Sequence, residues 1–237
     1  MFDFLLTGHR GYRVRFPENT VSSIEGAISC GATAVEVDVR ATADGVLVLS
    51  HDSNLERVSG NPIEVSDATL EELRAVRSGR EGVATLSEAA SAVRGRVALD
   101  LDIKIAGYAE QMVQTMSTYG DLDRTLFTSF SPDIVSEVKL VSSSCRTGII
   151  EQGAFEGALE AAVELKAESI LPEVADVSSG GVKDAKQAGM SVIPWSVDDP
   201  AAAVALFDLG VDGVITDDPC ALAGSVLGRR HQRTSSR

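Results

Sequence analysis

The stretch Val35-Glu36-Val37-Asp38-Val39 alternates valine with acid. A period of two is a strand pattern, and successive side chains on a strand point to opposite faces. The valines therefore share one face, and Glu36 and Asp38 share the other. Two carboxylates on one face of a β-branched strand are costly to bury unless something compensates them. A divalent cation is the simplest compensation, and a solvated edge strand is the alternative. A second stretch repeats the pattern. In Val97-Ala98-Leu99-Asp100-Leu101-Asp102-Ile103-Lys104 the odd-numbered positions are all apolar, and Asp100, Asp102 and Lys104 share the opposite face. Carboxylate-only ligation suits a hard cation, Mg2+ or Ca2+, better than zinc. Asp100 lies deepest on its strand, and for it an internal ion pair with Lys104 is an equal alternative.

Three histidines occur, His9, His51 and His231. His9 closes the first apolar run and is followed at once by Arg10. His51 closes the extended run 46–50. Imidazoles with an ordinary pKa near about 6.5 can take and give protons at neutral pH. A metal and fixed cations beside such a pair would offset the negative field of the chain for an anionic substrate and stabilise charge in its transition state. One base must deprotonate the nucleophile and one acid must protonate the leaving alkoxide.

The elements that must position these groups follow from periodicity. Strands are predicted at 4–9, 34–40, 97–104, 125–130, 146–151, 169–173, 191–196 and 213–216, each followed by a segment of helical spacing. The first helix starts near Pro17-Glu18-Asn19-Thr20, with Asn19 as its natural N-cap, and stops at Gly31. Asp44-Gly45 is a turn signal that pairs 46–50 with the second strand as a hairpin-like excursion. Residues 54–85 read as an insertion on the active-site rim. Eight strand–helix units imply an α/β fold, a parallel (β/α)8 TIM barrel in a single domain over 1–223. A doubly wound open sheet is the alternative, but no Gly-x-Gly-x-x-Gly follows the first strand. Residues 224–237 carry arginines and no acid, and read as a disordered basic tail. In a barrel of this kind the carboxyl ends of the strands carry the active site.

With 237 residues and a net charge of −14, neither nucleic acid nor an anionic membrane is an attractive partner. The N-terminus, with an early acid and a short apolar run, reads as neither a signal peptide nor a membrane anchor. Cys30, Cys145 and Cys220 are odd in number and widely spaced, which fits reduced thiols in the cytoplasm, each a small buried hydrophobe.

The motif series His9-Arg10-Gly11, Pro17-Glu18-Asn19-Thr20, Glu36-Val37-Asp38-Val39, Thr42-Ala43-Asp44-Gly45, His51-Asp52 and Leu55-Glu56-Arg57 resembles the glycerophosphodiester phosphodiesterase family. The resemblance continues through Asp102-Ile103-Lys104, Trp195-Ser196-Val197-Asp198 and 210–219 in matching order. It implies a (β/α)8 barrel that hydrolyses glycerophosphodiesters to glycerol 3-phosphate and an alcohol with a divalent metal. It also implies that His9 and His51 are the acid/base pair, that Arg10 and Lys104 hold phosphate, and that Glu36, Asp38 and Asp102 bind the metal. The chain departs from the family where Asp102 replaces the usual Glu and where Trp-Ser-Val-Asp replaces Trp-Thr-Val-Asn. Glu18 is either a helix-start residue or a substrate contact. Trp195 is either core or a wall for the substrate. With Glu151 and Glu173 it would form an acidic, aromatic rim suited to a cationic head group. Two other readings keep the barrel, one acting on lysophospholipids and one an inactive binding protein.

Overall fold

The computed structural model describes residues 5–77 and 81–228. Its strands are β1 (Leu6–Gly8), β2 (Ala34–Ala41), β3 (Leu47–Leu49), β4 (Ala98–Ile103), β5 (Thr125–Ser129), β6 (Arg146–Glu151), β7 (Ser169–Pro172), β8 (Ser191–Val192) and β9 (Val214–Thr216). Eight of them lie in the order β8-β7-β6-β5-β4-β2-β1-β9, with β3 antiparallel to β2. Neighbouring strands on this path pair in parallel. Its two ends meet as well. Asp212 N donates to Val192 O, Ile215 N to Pro194 O, and Val197 N to Ile215 O. The expected α/β barrel is therefore observed, with strand eight two residues long and its continuation held by these single bonds.

The helices are α1 (Val21–Ser29), α2 (Glu56–Ser59), α3 (Leu70–Ala75), α4 (Leu86–Val93), α5 (Ala109–Tyr119), α6 (Pro132–Val141), α7 (Phe155–Glu164), α8 (Ser179–Gln187), α9 (Pro200–Leu209) and α10 (Pro219–Leu227). α1 is capped by Thr20, not by Asn19. The Thr20 hydroxyl accepts from Ser23 N, and the Ser23 hydroxyl accepts from Thr20 N, which satisfies two end donors reciprocally. α9 and α10 each start with an aspartate cap followed by proline. α10 runs to Leu227, so the boundary expected at 224 falls inside a helix. Residues 229–237 of the expected tail, His231 among them, lie outside the described residues.

Apolar burial sits in two layers. Outward-facing strand residues such as Val35, Val37, Leu99 and Leu101 are fully buried under the helices. Each such side chain contributes about 1.5–3 kcal/mol. Inside the barrel a smaller group closes the floor: Ala34, Ala98, Leu126, Ile150, Leu171, Ile193 and Ile215. Above that floor β2 and β4 are in register, Glu36 opposite Asp100 and Asp38 opposite Asp102. The rim segment expected over 54–85 folds over a small core of its own, with Leu55, Val65, Ala68 and Leu73 against Val48.

The cysteines depart from expectation. Cys145 is free and buried, but Cys30 and Cys220 form a disulfide across a sequence separation of 190. It ties the end of α1 to the start of α10, the first helix to the last.

Candidate active site

The cleft at the carboxyl ends of the strands has an empty volume of about 460 Å3. Its lining combines His9, Arg10, Glu36, His51, Asp100, Asp102 and Lys104 with Phe130, Ile150, Leu171, Trp195 and Ile215. The register of β2 and β4 explains the acidic wall. Burial raises the Glu36 carboxyl well above the usual carboxylate range, and the charges of Asp38, Asp102 and Asp100 add to it. Burial pushes Asp100 up to about 8, although the Thr128 hydroxyl donates to it at 2.7 Å. Burial also carries Asp102 up to about 6 against the pull of Lys104. Asp38 goes the other way: burial would raise it, but Lys104, Arg10 and the Asn19 amide hold it below its ordinary value. Lys104 pairs with Asp102 and lies 3.1 Å from Asp38 Oδ1. The Lys104–Asp100 ion pair considered from the sequence is replaced by these contacts, and Asp100 turns to Thr128 instead.

The residues present fit a hard cation. Glu36, Asp38 and Asp102 each present a carboxylate oxygen, and these atoms all lie within 4.8 Å of one another. Two oxygens bound to one ion at about 2.3–2.6 Å are separated by no more than about 5 Å. Asp102 Oδ1 is buried without a hydrogen-bond partner among the described residues, and such an atom is costly unless it is ligated. The shorter reach of Asp102, where the family usually has Glu, does not take it out of this cluster.

Each of the two histidines of the cleft is held at Nδ1 by a carboxylate. His9 Nδ1 lies 2.6 Å from Asp217 Oδ1, and His51 Nδ1 lies 2.7 Å from Asp52 Oδ1. An ionised carboxylate only accepts, so in both rings Nδ1 carries the donated proton. Nε2 is then the atom left for chemistry, and His9 Nε2 lies 4.0 Å from Glu36 Oε2. Burial lowers the His51 pKa below its ordinary value, and the neighbouring Asp38 and Asp52 only partly offset it. The guanidinium of Arg40 donates twice to the His51 carbonyl, at 3.1 and 2.9 Å, and fixes the backbone there.

Arg10 and Asn19 both take left-handed backbone, with φ of 53° and 57°. For residues other than glycine this conformation is strained and concentrates at functional sites. The strain serves geometry here. Arg10 N donates to Glu36 Oε2 at 2.8 Å, and Arg10 Nε lies 3.1 Å from Asp38 Oδ2, close enough for an ion pair but too poorly aligned for a hydrogen bond. The Asn19 amide donates to Asp38 Oδ2 at 2.8 Å and accepts from Asp38 N at 3.1 Å. Asn19 is thus a clasp on an acid of the site rather than a helix cap. Gly11 makes the turn feasible: its φ is 81°, and a Cβ there would sit 2.4 Å from the Ser23 carbonyl carbon.

Glu18 stands beside the cleft rather than in its wall. Its carboxylate accepts from Arg10 Nη1 at 2.9 Å and from Arg57 at 2.7 and 3.0 Å. Burial would raise it, but Arg57 and Arg10 bring its pKa down to about 2. Trp195 lines the cleft, anchored by its indole N–H to Leu171 O at 2.8 Å and set edge-on to Phe130. Of the acids expected around it, Glu151 turns away: it is buried and accepts from the backbone N–H of Ala154, while half-buried Glu173 bridges the Trp195 backbone. Trp195 looks onto Phe130, Ile150 and Leu171 instead.

Sequence reasoning missed Asp217, Arg40, Asn19 and Arg57 as supports. Asp217 and Arg57 stood within quoted motifs, but nothing in their spacing named a partner.

A model of the Glycerophosphoryl diester phosphodiesterase family matches residues 9–221. The chain is 29% identical over 229 residues to the glycerophosphodiester phosphodiesterase of Caldanaerobacter subterraneus, covering 91% of this chain and 94% of that protein. It is 25% identical to that of Bacillus altitudinis, covering 89% and 93%. A glycerophosphodiester phosphodiesterase structure from Parabacteroides distasonis superposes with a TM-score of 0.83 at 25% identity, over 97% of this chain and 100% of that one. An Oleispira antarctica phosphodiesterase, solved with its product sn-glycerol-3-phosphate, shares the fold with a TM-score of 0.85 at 24% identity, over 94% and 96%.

Proposed function

The chain belongs to the glycerophosphoryl diester phosphodiesterase family, and we propose that it hydrolyses glycerophosphodiesters to glycerol 3-phosphate and an alcohol. We further propose that the reaction uses a divalent ion, Mg2+ or Ca2+, and the two imidazoles of His9 and His51. The observation that carries this reading is convergence: the acids of β2 and β4 and two carboxylate-held histidines share one cleft.

Glu36, Asp38 and Asp102 would hold the ion, which when bound neutralises phosphate charge. Four buried carboxylates, with Asp100 included, face the two cations Arg10 and Lys104. Full ionisation thus leaves two negative charges, 4 − 2, which a dication balances. Arg10 and Lys104 would contact the phosphate. One histidine takes the proton of the attacking hydroxyl, from water or from the substrate's own glycerol. The other gives its Nε2 proton to the departing alkoxide oxygen. The bond from nucleophile oxygen to phosphorus forms, and the bond from phosphorus to the alcohol oxygen breaks. Where the glycerol hydroxyl attacks, the product is a cyclic phosphate, which water then opens to glycerol 3-phosphate with the proton roles of the two imidazoles exchanged. Trp195 would flank the organic part of the diester, with Glu18 holding Arg10 from behind.

No nucleic-acid partner is proposed for a chain of net charge −14. No helix among the described residues is long and apolar enough to cross a membrane. A cytoplasmic location, read from unpaired thiols, loses that support through the Cys30–Cys220 bond, which oxidising compartments preserve. Thiol labelling of the protein in its own cells decides between the two.

The test is release of glycerol 3-phosphate from a panel of glycerophosphodiesters and lysophospholipids, with Mg2+, Ca2+ or chelator. Metal-dependent release from the water-soluble diesters is expected. Turnover of lysophospholipids alone would favour the lipid reading, and no product from any diester would favour an inactive binding barrel.

A further inference from the structure

The carboxylate of Glu18 is the meeting point of three arginines that reach toward different parts of the cleft. Arg10 Nη1 donates to it at 2.9 Å, and Arg10 then lies against Asp38. Arg57 grips it through both terminal nitrogens, and its Nε donates to Asp52 Oδ2 at 2.6 Å. The other oxygen of Asp52 holds His51 Nδ1. On the far side Arg13 Nη2 approaches Glu18 at 3.9 Å, and Arg13 Nη1 approaches Asp217, the partner of His9, at 3.6 Å.

We infer that Glu18 is a positioning residue, a hub that fixes His51 relative to Arg10 through a strut of Arg57 and Asp52, and braces His9 more loosely through Arg13. The inference rests on the phosphodiesterase reading for its kinetic consequences but not for its geometry. The Glu18 side chain is 11% exposed but Arg57 is 46% exposed, so the strut rests on its two-pronged geometry rather than on shielding from solvent. Arg57 makes a two-pronged contact with one carboxylate and a single bond to the other, which a guanidinium can do and an ammonium cannot. Arg57 belongs to the rim segment, 39 positions from Glu18. The rim segment therefore supplies a structural member of the site, not merely a cover over it. A displacement of about 1 Å in a reacting group can cost on the order of a hundredfold in rate, so a brace on His51 has kinetic weight without touching substrate.

The experiment compares the full-length wild type with Glu18→Gln, Arg57→Ala and Arg57→Lys. Two readouts are taken: NMR of the imidazole nitrogens, and kcat and KM for glycerophosphodiester hydrolysis. Arg57→Ala should shift or broaden the His51 ring signals, leave those of His9 in place, and lower kcat about tenfold with KM little changed. Arg57→Lys should recover only part of that loss. Glu18→Gln should disturb His51 strongly and His9 weakly, and should raise KM as well as lower kcat, because Arg10 loses its anchor. Unchanged His51 signals in both Glu18→Gln and Arg57→Ala would overturn the inference, and so would wild-type kcat in both. Should Glu18→Gln fail to fold, the Arg57 pair still decides the His51 arm. Should the wild type release no glycerol 3-phosphate, the functional reading fails, while the imidazole spectra still decide the hub.

Discussion

One mouth carries two unlike halves. On the side of β1, β2 and β4 the cleft is lined by His9, Arg10, Glu36, Asp100, Asp102 and Lys104; on the side of β5 to β9 it is lined by Phe130, Ile150, Leu171, Trp195 and Ile215. The charged half is a cost to the fold. Its carboxyls are raised by burial, two of its backbone positions are strained, and one carboxylate oxygen has no hydrogen-bond partner among the described residues. The apolar half continues the barrel floor and is of the kind that stabilises. On the proposed reading the contrast separates two tasks: one side meets the charge of the phosphodiester and moves protons to and from the reacting oxygens, and the other shapes the space for what is attached to it.

Breaking the charged half should have the largest effect. His9→Ala and His51→Ala should each lower kcat by about 10^2 to 10^4 while the circular dichroism spectrum stays that of the wild type. A His51→Ala protein with ordinary turnover would contradict the proton-transfer assignment. Loosening the same half without removing a reacting group should cost less. Asn19→Ala leaves Asp38 without its amide clasp and should weaken metal affinity about tenfold, read by calorimetry. Damage to the apolar half should look different in kind. Trp195→Ala should raise KM about fivefold, near 1 kcal/mol, with kcat within twofold; a collapse of kcat with unchanged KM would erase the division of labour. Glycerophosphocholine and glycerophosphoglycerol should then be handled within a few fold of each other, since Glu151 is turned away from Trp195 and only half-buried Glu173 stands beside it.

A separate effect concerns stability against acid, and its sign follows from Glu18. Its folded pKa of about 2 lies below the ordinary 4.5, so the folded state favours the ionised form. The contribution is present above 4.5 and is lost as pH falls from there through about 2. By linkage it is at most roughly 3 to 4 kcal/mol, and solvent around the half-exposed Arg57 screens it to less. Glu18→Gln should flatten the denaturation midpoint over that window, and an unaltered acid limb would show that the arginines do not hold this carboxylate.

Much of this division is visible in the sequence. The alternation at 35–39 and 97–104 identifies which side chains face inward, and β2 and β4 then align Glu36 with Asp100 and Asp38 with Asp102. His9 and His51 are legible because they close predicted strands. The supports are not legible, because they depend on chain crossings that local patterns do not encode. Asn19 looks like a helix cap until its left-handed backbone turns the amide to Asp38. Asp217 meets His9 across 208 positions, and Cys30 meets Cys220 across 190. Glu151 ends a strand as an inward acid should, yet its carboxylate bonds to the backbone of its own loop.

Titration of the metal-free protein with Mg2+ and with Ca2+ by calorimetry, alongside Asp102→Asn, tests the charged half most directly. The account predicts one ion per chain in the wild type and its loss in the variant, with the barrel still folded. Equal binding by both proteins would mean that Glu36, Asp38 and Asp102 do not form a common ion site.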